Sequence, residues 1–162
     1  RDALPRFRPW YSSHRKDNLP NWTGKMNRAD LIAELDRCGI LPTPQRLEIA
    51  DILFARRQHI SADQIIDKLR LSGSEVSKAT VYNTLNLFGE RGLVRELIID
   101  PKRRYYDSRT DLHHHFFNVD TGELQDIDDR EVGFRELPLM PEGTSCESVE
   151  VLIKVRKDDK RA

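Results

Sequence analysis

Three consecutive histidines, His113, His114 and His115, are the residues whose types and spacing most directly suggest chemistry. The chain around them is predicted to be a strand, on which successive side chains point to opposite faces. His113 and His115 would then share one face and could together bind a single divalent ion, while His114 would lie on the other face. An alternative is that all three are ordinary surface residues of a strand.

Two carboxylates and another histidine extend the possible ligand set. Asp107 lies just upstream of the run, Asp126 lies on the next predicted strand, and His59 precedes a predicted helix far away in sequence. Imidazoles and carboxylates without a thiolate suit Fe(II), Mn(II) or Zn(II) and do not select one of them. If His59 joined the site, the ion would link two parts of the chain, and metal occupancy would set their orientation. A non-haem iron enzyme is a weaker alternative, because five protein ligands leave little room for a substrate.

A helix predicted between Ser77 and Gly92 has a polar face suited to reading DNA. Ser77 is a good N-cap, and Gly92 can adopt the left-handed turn that ends a helix. Val81, Leu85 and Phe88 recur at helical spacing and form one apolar face. The opposite face carries Lys78, Tyr82, Asn83 and Asn86. Asn can pair two-fold with adenine in a major groove, although an ordinary amphipathic surface helix has a similar pattern.

A strand-turn-strand pattern follows, with strand-like runs at 94–99 and 105–107. The basic turn residues Lys102, Arg103 and Arg104 could contact DNA phosphates, or could be a solvated charge run. Capping signals predict three earlier helices, beginning after Asn27, Thr43 and Ser61. Short helices followed by a hairpin are typical of a winged helix-turn-helix domain, whose last helix reads the groove.

The second half predicts a smaller unit. Strands are expected at 113–119 and 123–127, a short helix at Glu131–Leu137, and an alternating strand at Cys146–Arg156. Its edges and apolar face could pair with a second copy of the chain. The predicted fold is therefore α+β, a winged helix-turn-helix domain at 27–107 followed by a small α/β dimerisation and sensing domain at 108–162. Residues 1–26 form an N-terminal extension without assigned chemistry.

Charge and cysteine usage are consistent with an intracellular DNA-binding protein. Residues 1–107 carry 19 Lys and Arg against 14 Asp and Glu, whereas residues 108–162 carry 8 against 13. A basic first part suggests a polyanion partner. The two cysteines form no Cys-x-x-Cys pair. No apolar run approaches membrane-spanning length, so a cytoplasmic location is expected.

The order of several motifs resembles the ferric uptake regulator family, from roughly Asp30 to Lys157. The motifs are GILPTPQR at 39–46, HISADQI at 59–65, ATVYNTL at 79–85, RGLV at 91–94, Tyr106-Asp107 and His113-x-His115. Within the family, the chain is similar to the iron response regulator branch, because Asn83 follows the tyrosine, the histidine run is extended and Leu137-Pro138 is followed by Pro141-Glu142-Gly143.

This resemblance implies a homodimeric transcription regulator, not an enzyme, that binds AT-rich inverted repeats in double-stranded DNA near iron-homeostasis genes. By position, the ligands of the family's regulatory metal site are His59, Asp107, His113, His115 and Asp126. The branch further implies that His113, His114 and His115 could meet haem, delivered by an unknown partner. Two alternatives within the family are a peroxide sensor and a manganese or zinc regulator.

Three departures from the family pattern carry expectations of their own. The first cysteine pair of the family's structural zinc site falls on Asn118 and Thr121, so no structural zinc held by four cysteines is expected. Leu41 stands where a basic residue usually reaches the minor groove, and its loss should weaken contact with AT-rich DNA. The chain has no Cys-Pro dipeptide, which argues against haem binding through a thiolate.

Overall fold

A computed structural model describes residues 25–100, 103–128 and 130–158, apart from the side chains of Asp100 and Arg103. These residues form two compact units, divided between Thr110 and Asp111. We call residues 25–110 the N-terminal unit and residues 111–158 the C-terminal unit.

The N-terminal unit contains four helices that begin where the capping residues predict. They are α1 (Arg28–Arg37), α2 (Pro44–Leu53), α3 (Ala62–Leu71) and α4 (Lys78–Glu90). The side chains of Asn27, Thr43, Ser61 and Ser77 each accept a hydrogen bond from a backbone N–H of the first turn. At α3 the bonding is reciprocal, because Gln64 accepts from the Ser61 N–H at 2.9 Å. Local sequence therefore determines the helix starts in this unit.

The helices enclose a core of fully buried apolar side chains. Ile49, Leu53, Ile65, Leu85 and Phe88 are each inaccessible to solvent. Each such side chain contributes roughly 1.5–3 kcal/mol when it is removed from water. The apolar face predicted for α4 lies in this core, which leaves the opposite face of the helix outward.

A three-stranded antiparallel sheet completes the N-terminal unit. Its strands are β1 (His59–Ser61), β2 (Arg95–Asp100) and β3 (Arg103–Asp107), in the order β1-β3-β2. Ile60 pairs with Tyr106 across β1 and β3, and both side chains are buried in the helical core. Neighbouring residues in a strand point to opposite faces, so His59 and Asp107 project from the other face. The pairing of β1 with β3 was not predicted from the sequence.

The C-terminal unit contains three strands in its described residues. They are β4 (His114–Asn118), β5 (Leu124–Ile127) and β6 (Leu152–Val155), in the order β5-β4-β6. Strand β4 pairs antiparallel with β5 and parallel with β6. In the β4–β5 turn, the Asn118 carboxamide oxygen accepts from the Asp120 and Thr121 N–H groups at 2.9 and 3.2 Å.

Two predictions for the C-terminal unit were wrong. The expected helix at Glu131–Leu137 is absent, and its residues have no regular secondary structure. This stretch is short, contains Gly133 and leaves Phe134 exposed, so no buried apolar face offsets the cost of nucleating a helix. The expected strand at Cys146–Arg156 is limited to Leu152–Val155, because only those residues pair with β4.

Among the residues that the structure describes, no helix has both the length and the apolar character needed to cross a membrane.

Candidate metal site and DNA-binding face

The N-terminal unit contributes one imidazole and one carboxylate from adjacent strands. His59 begins β1 and Asp107 ends β3, and the two are direct partners in the strand register. The His59 Nε2 and Asp107 Oδ2 atoms lie 3.2 Å apart. Asp107 is only 1% exposed, and its Oδ1 accepts the Arg109 N–H at 2.8 Å. The carboxylate is therefore fixed in a position from which Oδ2 and His59 can act together.

The C-terminal unit contributes a second group made of His113, His115 and Asp126. The Nε2 atoms of His113 and His115 lie 3.0 and 3.6 Å from the same oxygen, Asp126 Oδ1. One ligand atom from each of these three residues lies within 4.8 Å of the others. Both histidines are buried, and their ring centroids are 4.3 Å apart. The strand alternation and the β4–β5 pairing thus bring three donors together.

The hydrogen bonding of His113 fixes which of its nitrogens can bind a metal. Its Nδ1 lies 2.8 Å from the Asp111 carbonyl oxygen. A carbonyl can only accept, so Nδ1 carries the proton and the Nε2 of the neutral ring carries the lone pair. That lone pair faces the Asp126 carboxylate, an arrangement that needs a proton or a shared cation. A backbone carbonyl on the other ring nitrogen is the usual support for a metal-binding histidine.

His114 has a different environment from its two neighbours. Its Nδ1 accepts the Val151 N–H at 3.1 Å, and its ring packs edge-on against Phe134, with centroids 6.1 Å apart. This side chain connects β4 to the residue that precedes β6. The predicted haem role for His113, His114 and His115 gains no support from this arrangement, since His114 does not join the other two.

The donor chemistry fits a first-row divalent ion. Nitrogen and carboxylate oxygen donors suit Fe(II), Mn(II) and Zn(II), and no sulfur atom joins either group. The two cysteines, Cys38 and Cys146, are free and belong to different units, so a four-thiolate zinc site is not possible in one chain. Burial raises the pKa of the Cys38 thiol, which favours the unreactive protonated form at neutral pH.

The predicted groove-reading residues lie on the outer face of α4. Lys78, Asn83 and Asn86 are exposed, and Tyr82 is half-buried. The Lys78 ammonium lies 5.8 Å from the centre of the Tyr82 ring and 3.9 Å from Asp63 Oδ1. Both contacts are on the surface, where ion pairs are weak, so Lys78 can exchange them for a phosphate.

The predicted phosphate contacts of the β2–β3 turn are only partly described. Lys102 and the side chain of Arg103 lie outside the described residues. Arg104 is exposed, and its Nη1 lies 3.2 Å from Glu96 Oε1 across β2 and β3. The sequence did not predict this pairing. Because a guanidinium has five N–H donors, Arg104 can keep this contact while its other N–H groups bind a phosphate.

Sequence reasoning also missed Arg95 as a neighbour of the first ligand group. Arg95 on β2 is the direct register partner of Asp107 on β3. Counting residues outward from the hairpin turn would instead have paired Asp107 with Glu96, because a register shift between Ile98 and Asp100 displaces the pairing by one residue.

Comparison with known proteins identifies relatives of the chain. The model of the ferric uptake regulator family matches residues 38–153. The peroxide-responsive repressor PerR of Staphylococcus aureus (strain Mu50) is 35% identical over 96 residues, covering 59% of this chain and 65% of that protein. The PerR of Staphylococcus epidermidis is 34% identical and covers 59% and 64%. The match thus spans slightly less than two thirds of these curated relatives.

Two solved structures share the fold. The ferric uptake regulator of Pseudomonas aeruginosa, solved with manganese, is 27% identical with a TM-score of 0.59, covering 78% of this chain and 97% of that one. The ferric uptake regulator of Vibrio cholerae is 25% identical with a TM-score of 0.63, covering 79% and 100%. These similarities confirm the predicted α+β architecture, a helical N-terminal part followed by a strand-rich part. The family match covers most of the chain, and this protein therefore belongs to the ferric uptake regulator family, whose members are transcription regulators and not enzymes.

Proposed function

We propose that this protein is a metal-controlled transcription regulator that binds double-stranded DNA as a homodimer. The observation that carries this proposal is the convergence of His113 and His115 on Asp126 within a chain of the ferric uptake regulator family. Manganese, with which the Pseudomonas aeruginosa relative was solved, is an ion that such a donor set suits.

We further propose that the two ligand groups bind one ion. A pair and a triad of donors are each incomplete for Fe(II) or Mn(II), whereas together they supply three imidazoles and two carboxylates. Only five residues separate Asp107 from His113, so the chain holds the groups within roughly 20 Å of each other. When bound, the ion would supply a fixed link between the strands that carry its ligands.

Strand β3 is the route by which this link would affect DNA binding. Asp107 ends β3, and Arg104 lies on the same strand beside the predicted phosphate-binding turn. Fixing Asp107 would restrict the turn relative to α4, whose exposed Asn83 and Asn86 are the proposed base-reading residues. In a homodimer, two α4 helices would read half-sites about 10 bp apart. Leu41, which is 70% exposed, would give an AT-rich minor groove no positive charge.

The test is a DNA-binding titration of the metal-stripped protein. Mn(II), or Fe(II) without oxygen, is added to the wild type and to the His113→Ala/His115→Ala variant, with a labelled AT-rich inverted repeat as readout. We expect metal to change DNA affinity in the wild type, and the double variant to need more than about 100-fold more metal, because losing two ligands costs more than losing a residue that only supports a ligand. The variant His14→Ala, outside the proposed ligand set, should respond as the wild type does. A wild type whose DNA affinity ignores both metals would disprove the proposal.

The signal to which the regulator responds is a separate question. Similarity to two peroxide-responsive repressors supports a response to peroxide over a response to iron. Neither cysteine belongs to the proposed ligand set, so a histidine ligand, which would lie beside bound Fe(II), is the better candidate target for peroxide. Bound Fe(II) would supply redox chemistry at the site. In the net reaction, hydrogen peroxide would add one oxygen atom to the His59 or His113 ring and leave as water.

Mass spectrometry distinguishes these finer functions. Peroxide treatment of the Fe(II)-loaded protein should add the mass of one oxygen to the peptide of His59 or His113, and the Mn(II)-loaded protein should remain unmodified. An unmodified Fe(II)-loaded protein would favour the iron-responsive prediction instead. Haem binding remains a prediction, which a haem titration of wild type and His114→Ala would test.

A further inference from the structure

One row of residues crosses the N-terminal sheet through His59 and Asp107. The third residue of this row is a cation, Arg95. Asp107 lies on the central strand β3, with His59 opposite it on β1 and Arg95 opposite it on β2. Residues that face each other across antiparallel strands project from the same face, with Cβ atoms about 5 Å apart. His59, Asp107 and Arg95 therefore stand side by side on the face opposite Ile60 and Tyr106.

Each of these three side chains has a polar atom that is removed from solvent. His59 Nε2, Asp107 Oδ2 and Arg95 Nη1 are all buried atoms. A buried carboxylate is stabilised by a positive partner, and an arginine is charged at every physiological pH. Arg95 carries such a charge at the strand position directly opposite Asp107.

We propose that Arg95 sets the metal affinity of the site by acting as a permanent counter-charge to Asp107. This inference rests on the proposed metal-binding function. The fixed positive charge stabilises the Asp107 carboxylate in the site without a metal, and it also repels an incoming divalent ion. A site built in this way binds its ion more weakly than its ligands by themselves would allow. It can therefore release the ion when the free concentration falls.

The experiment is a measurement of Mn(II) affinity by competition with a chelating dye, at one pH and without DNA. It compares the wild type with Arg95→Gln and with Arg70→Gln, an exposed arginine on α3. Removing the positive charge from the strand position opposite a proposed ligand should tighten Mn(II) binding at least ~10-fold in Arg95→Gln, since charges interact strongly where solvent is excluded. Arg70→Gln removes the same charge from the surface and should bind as the wild type does.

Thermal unfolding provides a second readout. Without metal, Arg95→Gln should unfold at a lower temperature than the wild type, because Asp107 has lost its counter-charge. Mn(II) should then raise its unfolding temperature by more than it raises that of the wild type. If Arg95→Gln does not fold, Arg95→Met is the second neutral variant, and a Mn(II) affinity there no tighter than that of the wild type would contradict the charge argument.

The outcomes separate this inference from the function on which it rests. A wild type that binds no Mn(II) would overturn both proposals. A wild type that binds Mn(II), with an Arg95→Gln variant that binds it equally or more weakly, would overturn only the role of Arg95. In that case, the arginine would be a structural neighbour that positions the carboxylate.

Discussion

The two units of the chain use their apolar residues differently. In the N-terminal unit, side chains such as Leu85 and Phe88 are fully buried among four capped helices. In the C-terminal unit, the β6 residues Leu152, Ile153 and Val155 remain 36–39% exposed within a single chain. The first unit thus has a complete core of its own, whereas the second has apolar surface that a second copy could cover.

This difference matters for how each unit can respond to a ligand. A closely packed core changes little when a surface group binds. The C-terminal unit has short strands and a long irregular stretch, so buried polar contacts such as His113 with Asp126 form a larger share of what orders it. The proposed ligands His113, His115 and Asp126 therefore lie in the unit whose order depends more on such contacts.

The largest expected effect contrasts one residue from each unit. Phe88→Ala should lower the free energy of unfolding by about 3–5 kcal/mol, because it leaves a cavity in a closed core. Ile153→Ala should cost only about 1–2 kcal/mol in a monomer, because its side chain is already 39% exposed to water. Urea denaturation at two protein concentrations measures both values.

Concentration dependence sharpens this comparison. If β6 forms a dimer contact, the cost of Ile153→Ala should grow as the protein concentration rises and the wild type dimerises. Equal losses for Phe88→Ala and Ile153→Ala in dilute protein would contradict the difference drawn between the units.

An intermediate effect is expected on the outer face of α4. Asn83→Ala should lose roughly 1–3 kcal/mol of binding free energy for the preferred operator and relax its base preference. Lys78→Ala, one turn earlier, should weaken binding to all sequences alike and reduce the salt dependence by about one counterion. Fluorescence anisotropy with a set of single-base operator variants gives both quantities. A uniform loss for Asn83→Ala would exclude base reading by that residue.

The smallest effect concerns the local signals that begin the helices. Ser61→Ala removes the oxygen that accepts the Gln64 N–H at 3.2 Å, and should cost about 1 kcal/mol of stability. Ser145→Ala, in the irregular stretch of the C-terminal unit, is the matched control and should change little. A Ser61 variant as stable as this control would show that packing, rather than capping, determines where α3 begins.

Helix positions and the histidine alternation could be predicted because both depend on near neighbours in the chain. Thr43 followed by Pro44, and Ser61 followed by Gln64, specify helix starts through bonds within one turn. The side-chain period of two is a property of any strand. It sets His113 and His115 apart from His114 before any partner strand is known.

Pairing between distant strands could not be predicted in the same way. Strand β1 has only three residues, and it is a strand because its backbone pairs with β3. Similarly, β6 is limited to the residues that pair with β4. The expected helix at Glu131–Leu137 does not form, because this stretch has no apolar face buried against the rest of the chain. These outcomes depend on contacts between segments that are distant in the sequence, so the residues of one short segment do not determine them.

The sequence by itself determined the residue types of the site, which are imidazoles and carboxylates. It also determined that two cysteines are not enough for a four-thiolate zinc site, and that the outer face of α4 carries amides and a lysine. Only the tertiary structure decided which of them meet. The register of β3 between β1 and β2 brings Asp107 between His59 and Arg95, and the β4–β5 pairing brings Asp126 opposite His115. The physical reason is that ligand chemistry belongs to single side chains, whereas coordination depends on backbone hydrogen bonds between segments far apart in the chain.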